Sequence, residues 1–339
     1  SWNVLSQLKP EFEDLTGIQV EMLSVHIDHF GSEIKKPSNT WDAVSLLSFE
    51  ISDYASSNLI LEIECLFELP LIQDPSFDPR RDIHPAVWRT SCVWQDKYFG
   101  ITHEITPPLL CYRKDLTQHP EENKAFKEKY GYTLPEMPET FPEYYDLVEF
   151  FTRKKGQRLG GKKLAGNFYG TVLSPYLPLM DDYSNLLYAM GGQIISPEYK
   201  IETDNLLNIT ALEYLLSLGK FTPPNLKEYS MEDQFGAFTD GSVFSHLIYC
   251  EDFRWIEDPS KSKVAGRVAY SLPPEKGKVF PYAYSWCVAT ASPRKEAVWL
   301  WLQWVSSYEI QKRIQLLGGA TPRLDVMHDS DVLKKPYMP

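Results

Sequence analysis

Residues 98–116, YFGITHEITPPLLCYRKDL, decide the fold class because they hold two short apolar runs close together. These runs predict strands at Tyr98–Ile101 and Leu109–Tyr112. Upstream, the apolar run Ala43–Leu47 suits a buried strand, and a helix is predicted directly after it at Glu50–Ser57. Strands that alternate with helical stretches indicate an α/β fold with a largely parallel sheet.

The rest of the chain continues this alternation. Apolar residues at helical spacing predict a helix over Val4–Leu15, and alternating apolar residues at 18–22 predict a strand after it. Further strands are predicted at Val264–Leu272 and Tyr284–Ala289. Further helical segments are predicted at Thr140–Phe151, Tyr183–Met190, Asn208–Leu218, Met231–Phe238 and Pro293–Leu317.

The composition is that of an ordinary globular protein with a surplus of acid. The 339 residues include 34 Lys and Arg against 46 Asp and Glu, a net charge of −12, and 43% are hydrophobic. The length suggests two or three domains. The acid excess argues against nucleic acid or an anionic membrane as the main partner. No apolar run approaches the roughly 18 residues of a membrane span.

Aromatic residues make up 14% of the chain and gather in three clusters. The clusters are Phe168-Tyr169, Tyr249–Trp255 and Tyr282–Trp286, and acids lie near two of them. Aromatic rings stack on the apolar faces of sugars while carboxylates and amides bind the hydroxyl rim, so the clusters are candidate ligand platforms. For any single ring in them, core packing is the more common role than ligand contact. The tryptophans at 299, 301 and 304 recur at helical spacing and are assigned to core or to a domain junction.

Other candidate chemistry has a simpler explanation in each case. Residues 153–166, RKKGQRLGGKKLAG, form a basic Gly-rich stretch that lacks the P-loop pattern, which favours a solvated loop over a phosphate cradle. His26 and His29 could begin a metal site, but histidines facing water are the better interpretation. We therefore expect no metal and no cofactor.

A nucleophile or a catalytic acid pair is also disfavoured. Asp181 and Asp182 could serve glycoside hydrolysis, although adjacent strand residues point to opposite faces and catalytic carboxylates usually come from separate elements. Cys111 and Cys250 have no histidine nearby in sequence, which favours structural cysteines. We expect a protein that is not an enzyme.

Taken in order, several segments resemble the extracellular solute-binding proteins of bacterial ABC importers, in particular the oligosaccharide-binding group that includes maltose- and trehalose-binding proteins. EFEDLTGIQV (11–20) looks like the first helix of that family running into its second strand, and LLCYRKDL (109–116) is close to its "LLYYRKDL" segment at the crossing into the second lobe. Similar segments continue along nearly the whole chain at residues 41–61, 138–152, 235–249 and 318–323.

The resemblance implies a two-lobed periplasmic binding protein (type II) fold, α/β in class, with the ligand held in a cleft that closes over it. It implies one lobe from residues 1–108 and 281–325 and a second from 109–280 and 326–339. In the family a first strand lies before the position of Ser1 and further helices follow that of Pro339. Leu47 stands where many members carry an Asp that binds sugar hydroxyls.

The resemblance also implies the ligand-binding residues, carried over position by position. Glu104 and Thr106 precede the crossing segment where the family binds hydroxyls, and Tyr169 and Tyr249 would be stacking platforms. Glu251 is a looser assignment. The remaining implied contacts lie near the C-terminal end of the chain: Tyr284, Ser285, Trp286 and Arg323.

The sequence therefore predicts a binding protein that delivers an oligosaccharide or related sugar to an ABC importer. Its expected partners are a small-molecule ligand and the importer's membrane subunits, with no nucleic acid. We expect a monomer located outside the cytoplasm, in the periplasm or lipid-anchored at the cell surface. The alternatives are the same fold with a non-sugar solute, such as a peptide, polyamine or phosphodiester, and a glycoside hydrolase.

Overall fold

The computed structural model describes residues 2–25, 31, 32, 34, 41–173, 177–196, 198, 200–276, 278–280 and 282–335. The chain divides into two compact units. Unit 1 comprises Ser1–Thr106 and Pro281–Met338, and unit 2 runs from Pro107–Phe280. In the described ranges, no helix has both the length and the apolar character needed to cross a bilayer.

Eleven strands are described. They are β1 (Ala43–Leu47), β2 (Val93–Trp94), β3 (Lys97–Tyr98), β4 (Gly100–Ile105), β5 (Pro108–Arg113), β6 (Arg158–Leu159), β7 (Lys162–Lys163), β8 (Tyr169–Thr171), β9 (Val243–Tyr249), β10 (Val268–Ser271) and β11 (Ala283–Val288).

Helices connect the strands in both units. They are α1 (Trp2–Thr16), α2 (Ile51–Ser56), α3 (Pro79–Asp82), α4 (Pro85–Cys92), α5 (Lys114–Thr117), α6 (Pro120–Tyr130), α7 (Phe141–Phe151), α8 (Leu177–Ala189), α9 (Leu206–Leu218), α10 (Met231–Thr239), α11 (Phe253–Ile256), α12 (Lys295–Val305), α13 (Tyr308–Leu316) and α14 (Leu324–Met327). Short 3₁₀ turns lie at Ile63–Glu68, Gly219–Phe221, Leu226–Glu228, Cys250–Asp252 and Pro274–Lys276.

Unit 1 is built around a three-stranded sheet in the order β1-β11-β4, and both pairings are antiparallel. Its main core joins the apolar face of α1 to α12. Phe12 contacts the Trp301 ring edge-on at 5.1 Å, and Trp299 is fully buried. The prediction that the tryptophans at 299 and 301 belong to a core is confirmed, and Trp304 packs against the same core while partly exposed.

Unit 2 holds a four-stranded sheet in the order β10-β5-β9-β8. Its core is rich in phenylalanine, and Phe151 stacks on Phe244 with ring centroids 4.3 Å apart. Helix α7 begins at a capping box in which the Thr140 hydroxyl accepts from the Glu143 backbone N–H and the Glu143 carboxylate accepts from the Thr140 N–H. The predicted start of this helix is confirmed.

The expectation of a largely parallel sheet is wrong. Only β8 and β9 run parallel among the described strands, and all the other pairings are antiparallel. The strand expected at 18–22 is also absent, since residues 17–25 have no strand partner. The Val20 N–H instead donates to the Glu13 carboxylate of α1 at 2.7 Å.

The division of the chain differs from the expected lobes at its C-terminal end. Residues 326–335 lie with unit 1, although the second lobe was expected to include them. The Asp329 carboxylate accepts from Tyr308 at 2.6 Å and pairs with Lys312 at 2.9 Å, and Val332 is fully buried. These contacts attach the segment to α13. The helical region expected over 293–317 is two helices, with the break at Ser306 and Ser307.

Candidate functional site

A cavity of about 440 Å³ opens within unit 2, a size typical of small-molecule sites. Residues of α8, the start of α10, the end of β9 and the segment after β9 form its walls. The lining residues are Pro108, Asp182, Asn185, Met231, Glu232, Gln234, Phe235, His246, Leu247, Ile248, Tyr249, Asp252, Trp255 and Lys261.

The position of the cavity follows from the unequal pairing of β9. On one side, β9 pairs with β5 as far as the Pro108–Tyr249 pair. On the other side, its parallel pairing with β8 stops at Thr171 opposite Ser245. Residues 246–249 therefore have a strand neighbour on one side only, among the described strands, and all four line the cavity.

Three aromatic rings, those of Phe235, Tyr249 and Trp255, give the cavity flat apolar surface. Tyr249 is the last residue of β9, and Trp255 lies in α11; both side chains are partly exposed. Two cationic side chains already contact the Trp255 ring. The Lys261 Nζ lies 3.2 Å from the ring centroid, and the Arg254 guanidinium carbon lies 4.6 Å from it. Because the Lys261 amine stands over the ring, a ligand that stacks on Trp255 has to share or displace it.

Carboxylates and amides supply the polar lining. Asp182 is 8% exposed and Asn185 is fully buried, whereas Glu232 is exposed and Asp252 is partly exposed. The Asn185 side-chain oxygen accepts from the Phe280 backbone N–H at 3.0 Å, which fixes the amide in place. Three carboxylates and one lysine line the cavity, so its formal charge favours neutral hydroxyls or cations over anions.

His246 adds a neutral imidazole to this wall. Burial lowers the pKa of His246 to about 4, against the smaller effect of a hydrogen bond with the Val172 backbone. The ring is therefore uncharged at neutral pH. Its Nδ1 has no hydrogen-bond partner among the described residues.

A second group of predicted residues lies together in unit 1, at the paired ends of β4 and β11. Tyr284 is opposite Glu104 in the sheet register, and the Thr106 backbone N–H donates to the Tyr282 oxygen at 2.7 Å. Glu104 and Thr106 are both buried, while Tyr284 is partly exposed.

Trp286 is the notable member of this group. Its ring stacks on His103 with centroids 4.8 Å apart and planes 26° from parallel. The His103 Nε2 lies 2.8 Å from the Ser45 hydroxyl, and burial lowers the pKa of His103 to about 3. The Trp286 indole N–H is buried and has no partner within the described part of the chain. A buried donor without a partner is unfavourable. Trp286 is 9% exposed and belongs to the main core of unit 1, so this donor lies beneath the surface.

Two predicted contacts are corrected by the structure. Ser285 is fully buried, and its hydroxyl donates to the Ser91 oxygen at 2.8 Å. Successive strand residues face opposite sides, so Ser285 points away from its neighbours Tyr284 and Trp286. The Arg323 guanidinium pairs with Asp82 at 3.0 Å and with Asp325 at 2.7 Å. Both side chains are thus engaged inside unit 1 rather than offered to a ligand.

Only one of the three residues predicted in unit 2 lines the cavity. Tyr249 lines it; Tyr169 and Glu251 do not. Tyr169 lies on β8, where its hydroxyl accepts from the Asn167 amide at 3.3 Å. Trp255 was within an aromatic cluster that the sequence singled out, whereas no local pattern indicated Asn185 or Lys261.

This geometry gives little support to a catalytic site or to a metal site. Asp182 lines the cavity, but the Asp181 side chain, like His26 and His29, lies outside the described residues. Across the described ranges, no cluster of three or more His, Cys, Asp or Glu is arranged to hold a metal ion. All five cysteines are free thiols, and Cys111 is fully buried.

Known proteins resemble this chain mainly in their fold. No family model matches the chain. A probable amino-acid ABC transporter periplasmic-binding protein of Sinorhizobium fredii is 22% identical over 148 residues, which cover 43% of this chain and 34% of that relative.

Two solved structures match over almost the whole chain. One is an ABC transporter solute-binding protein from Agrobacterium radiobacter in complex with ribitol, with a TM-score of 0.76 at 20% identity, covering 97% of this chain and 79% of the other. The other is maltose-bound MalE3 of T. maritima, with a TM-score of 0.75 at 19% identity, covering 99% and 82%. The α/β fold predicted from the ordered motifs is therefore confirmed: the chain has the fold of the two-lobed ABC transporter solute-binding proteins.

Proposed function

We propose that this protein is an extracytoplasmic substrate-binding protein of an ABC importer and that it binds a small carbohydrate or polyol without catalysing a reaction. The observation that carries the proposal is the cavity of unit 2, which combines three aromatic rings with carboxylates and a fixed amide in this fold. Aromatic surface for C–H faces and acceptors for hydroxyls are what a sugar or polyol requires.

The compared structures support the same ligand class. They contain ribitol and maltose, a polyol and a disaccharide. In this chain we assign ligand contact to Tyr249 and Trp255 of unit 2. In unit 1 we assign it to Glu104, Thr106, Tyr284 and Trp286. Tyr169 and Glu251 stay predictions of the resemblance. Delivery to importer membrane subunits and a monomeric state are further parts of the proposal.

Calorimetric titration with ribitol, maltose and a panel of mono- to tetrasaccharides tests the ligand class. We expect at least one of these ligands to bind the unmodified protein with measurable heat. Absence of binding across the whole panel would remove the sugar assignment and leave the fold unaffected.

Alanine substitutions test the assigned residues with any ligand that binds. Tyr249→Ala, Trp255→Ala and Trp286→Ala should each weaken binding by about 1–3 kcal/mol, as expected of buried aromatic anchors. Leu71→Ala is the matched control, because Leu71 is 96% exposed and lies outside both groups. Unchanged affinity in all three aromatic variants would place the site elsewhere.

A cationic solute is a second candidate. It is favoured by the excess of carboxylates over Lys261 in the cavity lining and by the curated relative, which is named for amino-acid transport. Spermidine and basic amino acids in the same titration decide between the candidates, because tight binding of a cation together with no response to sugars would replace the first proposal with the second.

A further inference from the structure

One short segment of this acidic protein is strongly basic. Residues 153–163, RKKGQRLGGKK, hold six of the 34 Lys and Arg and no acid. The other 28 basic residues stand against 46 acidic ones, so the rest of the chain carries a net charge of −18. The whole-chain charge of −12 hides this separation.

The segment is a folded β-hairpin rather than a loose loop. Strands β6 and β7 pair antiparallel across Gly160 and Gly161, whose φ angles are +54° and +74°. Two consecutive residues with positive φ form the turn that suits a tight hairpin. The base of the hairpin is closed where the Gly156 N–H donates to the Leu164 oxygen at 3.0 Å. The charges therefore have defined positions.

Unit 2 holds the hairpin firmly. Leu159 is 7% exposed and belongs to the main core of the unit. The Glu122 carboxylate of α6 accepts from the Gly160 N–H at 2.8 Å and lies 3.6 Å from Arg153, whose guanidinium also covers the Phe150 ring. Glu122 is used in this anchoring, so it neutralises the base of the hairpin and not its outer face.

The outer face presents cations that the protein itself does not neutralise. Lys154, Lys155, Lys162 and Lys163 are exposed and form no ion pair with any described residue. Arg158 lies directly opposite Lys163 in the register. Like charges opposite each other destabilise a strand pair, so the hairpin is stabilised when an external anion relieves this repulsion.

The exposed side chains also define the kind of partner. The exposed residues of 154–163 are Lys, Gln, Arg and Gly, and Leu159 is buried. Protein interfaces depend on aromatic and apolar anchors, and single-stranded nucleic acids bind where aromatic rings interleave with basic residues. A surface with charge alone matches a diffuse array of anions, which is what phospholipid headgroups provide.

We propose that the 153–163 hairpin is a docking surface for an anionic phospholipid membrane. The contact is electrostatic and peripheral, through the exposed lysines and Arg158. It acts over about one Debye length, so acids farther than about 8 Å from the hairpin are largely screened at physiological salt, whereas Glu121 and Glu122 beside the turn lie within that range. The proposal does not depend on which solute the protein binds.

Vesicle co-sedimentation with the full chain tests the proposal. We expect binding to vesicles that contain phosphatidylglycerol, none to vesicles of phosphatidylcholine alone, and loss of binding in about 1 M salt, where the Debye length falls to about 3 Å. Changing Lys154, Lys155, Lys162 and Lys163 together to Gln should lower the partition coefficient roughly 100-fold or more, and Arg at all four positions should keep it.

The control removes the same charge elsewhere on the surface. It changes four exposed lysines to Gln: Lys227, Lys263, Lys278 and Lys334. This control variant should bind anionic vesicles at least as well as a protein from which only two of the hairpin charges have been removed. Equal losses in the two Gln variants, equal binding to both kinds of vesicle, or no binding by the unmodified protein would overturn the proposal. Thermal unfolding shows that each variant is folded before it is tested.

Discussion

Gly170 allows β8 to approach helix α7 more closely than any side chain would permit. A Cβ built on Gly170 would overlap the Val148 carbonyl oxygen and lie 2.6 Å from the carbonyl carbon and from Cγ1 of the same residue. Ordinary contacts are about 3.5–4.0 Å. Because the obstacle is largely backbone, no change of rotamer can relieve it.

Gly170→Ala must therefore move β8 away from α7 by about 1 Å or more. Such overpacking costs about 1–3 kcal/mol or somewhat more. The shift also weakens two hydrogen bonds, from the Gly170 N–H to the Thr152 hydroxyl at 3.0 Å and from the Ser245 hydroxyl to the Gly170 oxygen at 2.8 Å. At about 1 kcal/mol each, they bring the expected loss of unfolding free energy to about 3–5 kcal/mol.

Urea and thermal unfolding of the full chain measure this loss. For a unit of this size the corresponding fall in melting temperature is roughly 10 °C. Gly166→Ala is the matched control, since a Cβ there meets nothing within 4 Å and its φ is not left-handed. A loss below about 1 kcal/mol in Gly170→Ala would refute the argument that backbone overlap fixes this approach.

Two further predictions concern buried histidines and a helix cap. Burial lowers the pKa of His103 to about 3 and of His246 to about 4, so the unfolded chain takes up protons first as the pH falls below about 6.5. The free energy of unfolding should then fall by about 1.4 kcal/mol per pH unit for each histidine until its folded pKa is reached. Urea unfolding from pH 7 to pH 5 measures this fall, and NMR titration of the folded protein measures the histidine pKa values. An NMR titration midpoint near 6.5 for either histidine in the folded protein would contradict the prediction. Thr140→Ala removes the capping box shared with Glu143 and should destabilise unit 2 by about 1 kcal/mol in the same assay, whereas Thr140→Ser should be close to neutral; equal effects would mean that the hydroxyl does not cap α7.

The sequence predicts helices and strands whose residue pattern lies within the element itself. It does not predict how a strand pairs with another strand that is distant along the chain. The strand at Ala43–Leu47 and the helix starting at Thr140 carry their own patterns, and both are present. The direction of strand pairing has no such pattern. β1 pairs with β11, more than 200 residues away, so the alternation of strands and helices along the chain wrongly indicated a parallel sheet.

The candidate site shows the same limit. Tyr249 could be predicted because it ends a strand within a cluster of aromatic residues, and it lines the cavity. Asn185 and Lys261 come from segments that are distant in sequence, and only the folded unit brings them to the same wall. Ser285 was misassigned because the residues on either side of it suggested a contact, while strand alternation turns its side chain into the core.

The central position of β11 in the sheet of unit 1 has a consequence for synthesis of the chain on the ribosome. Among the described strands, β1 and β4 each pair only with β11, so neither has a sheet partner until residues 283–288 have emerged. All the described strands of unit 2 lie between Pro108 and Ser271 and are complete earlier. Since non-local strand pairs form late and open edges favour aggregation, the N-terminal third of the chain is the part that most needs protection during translation.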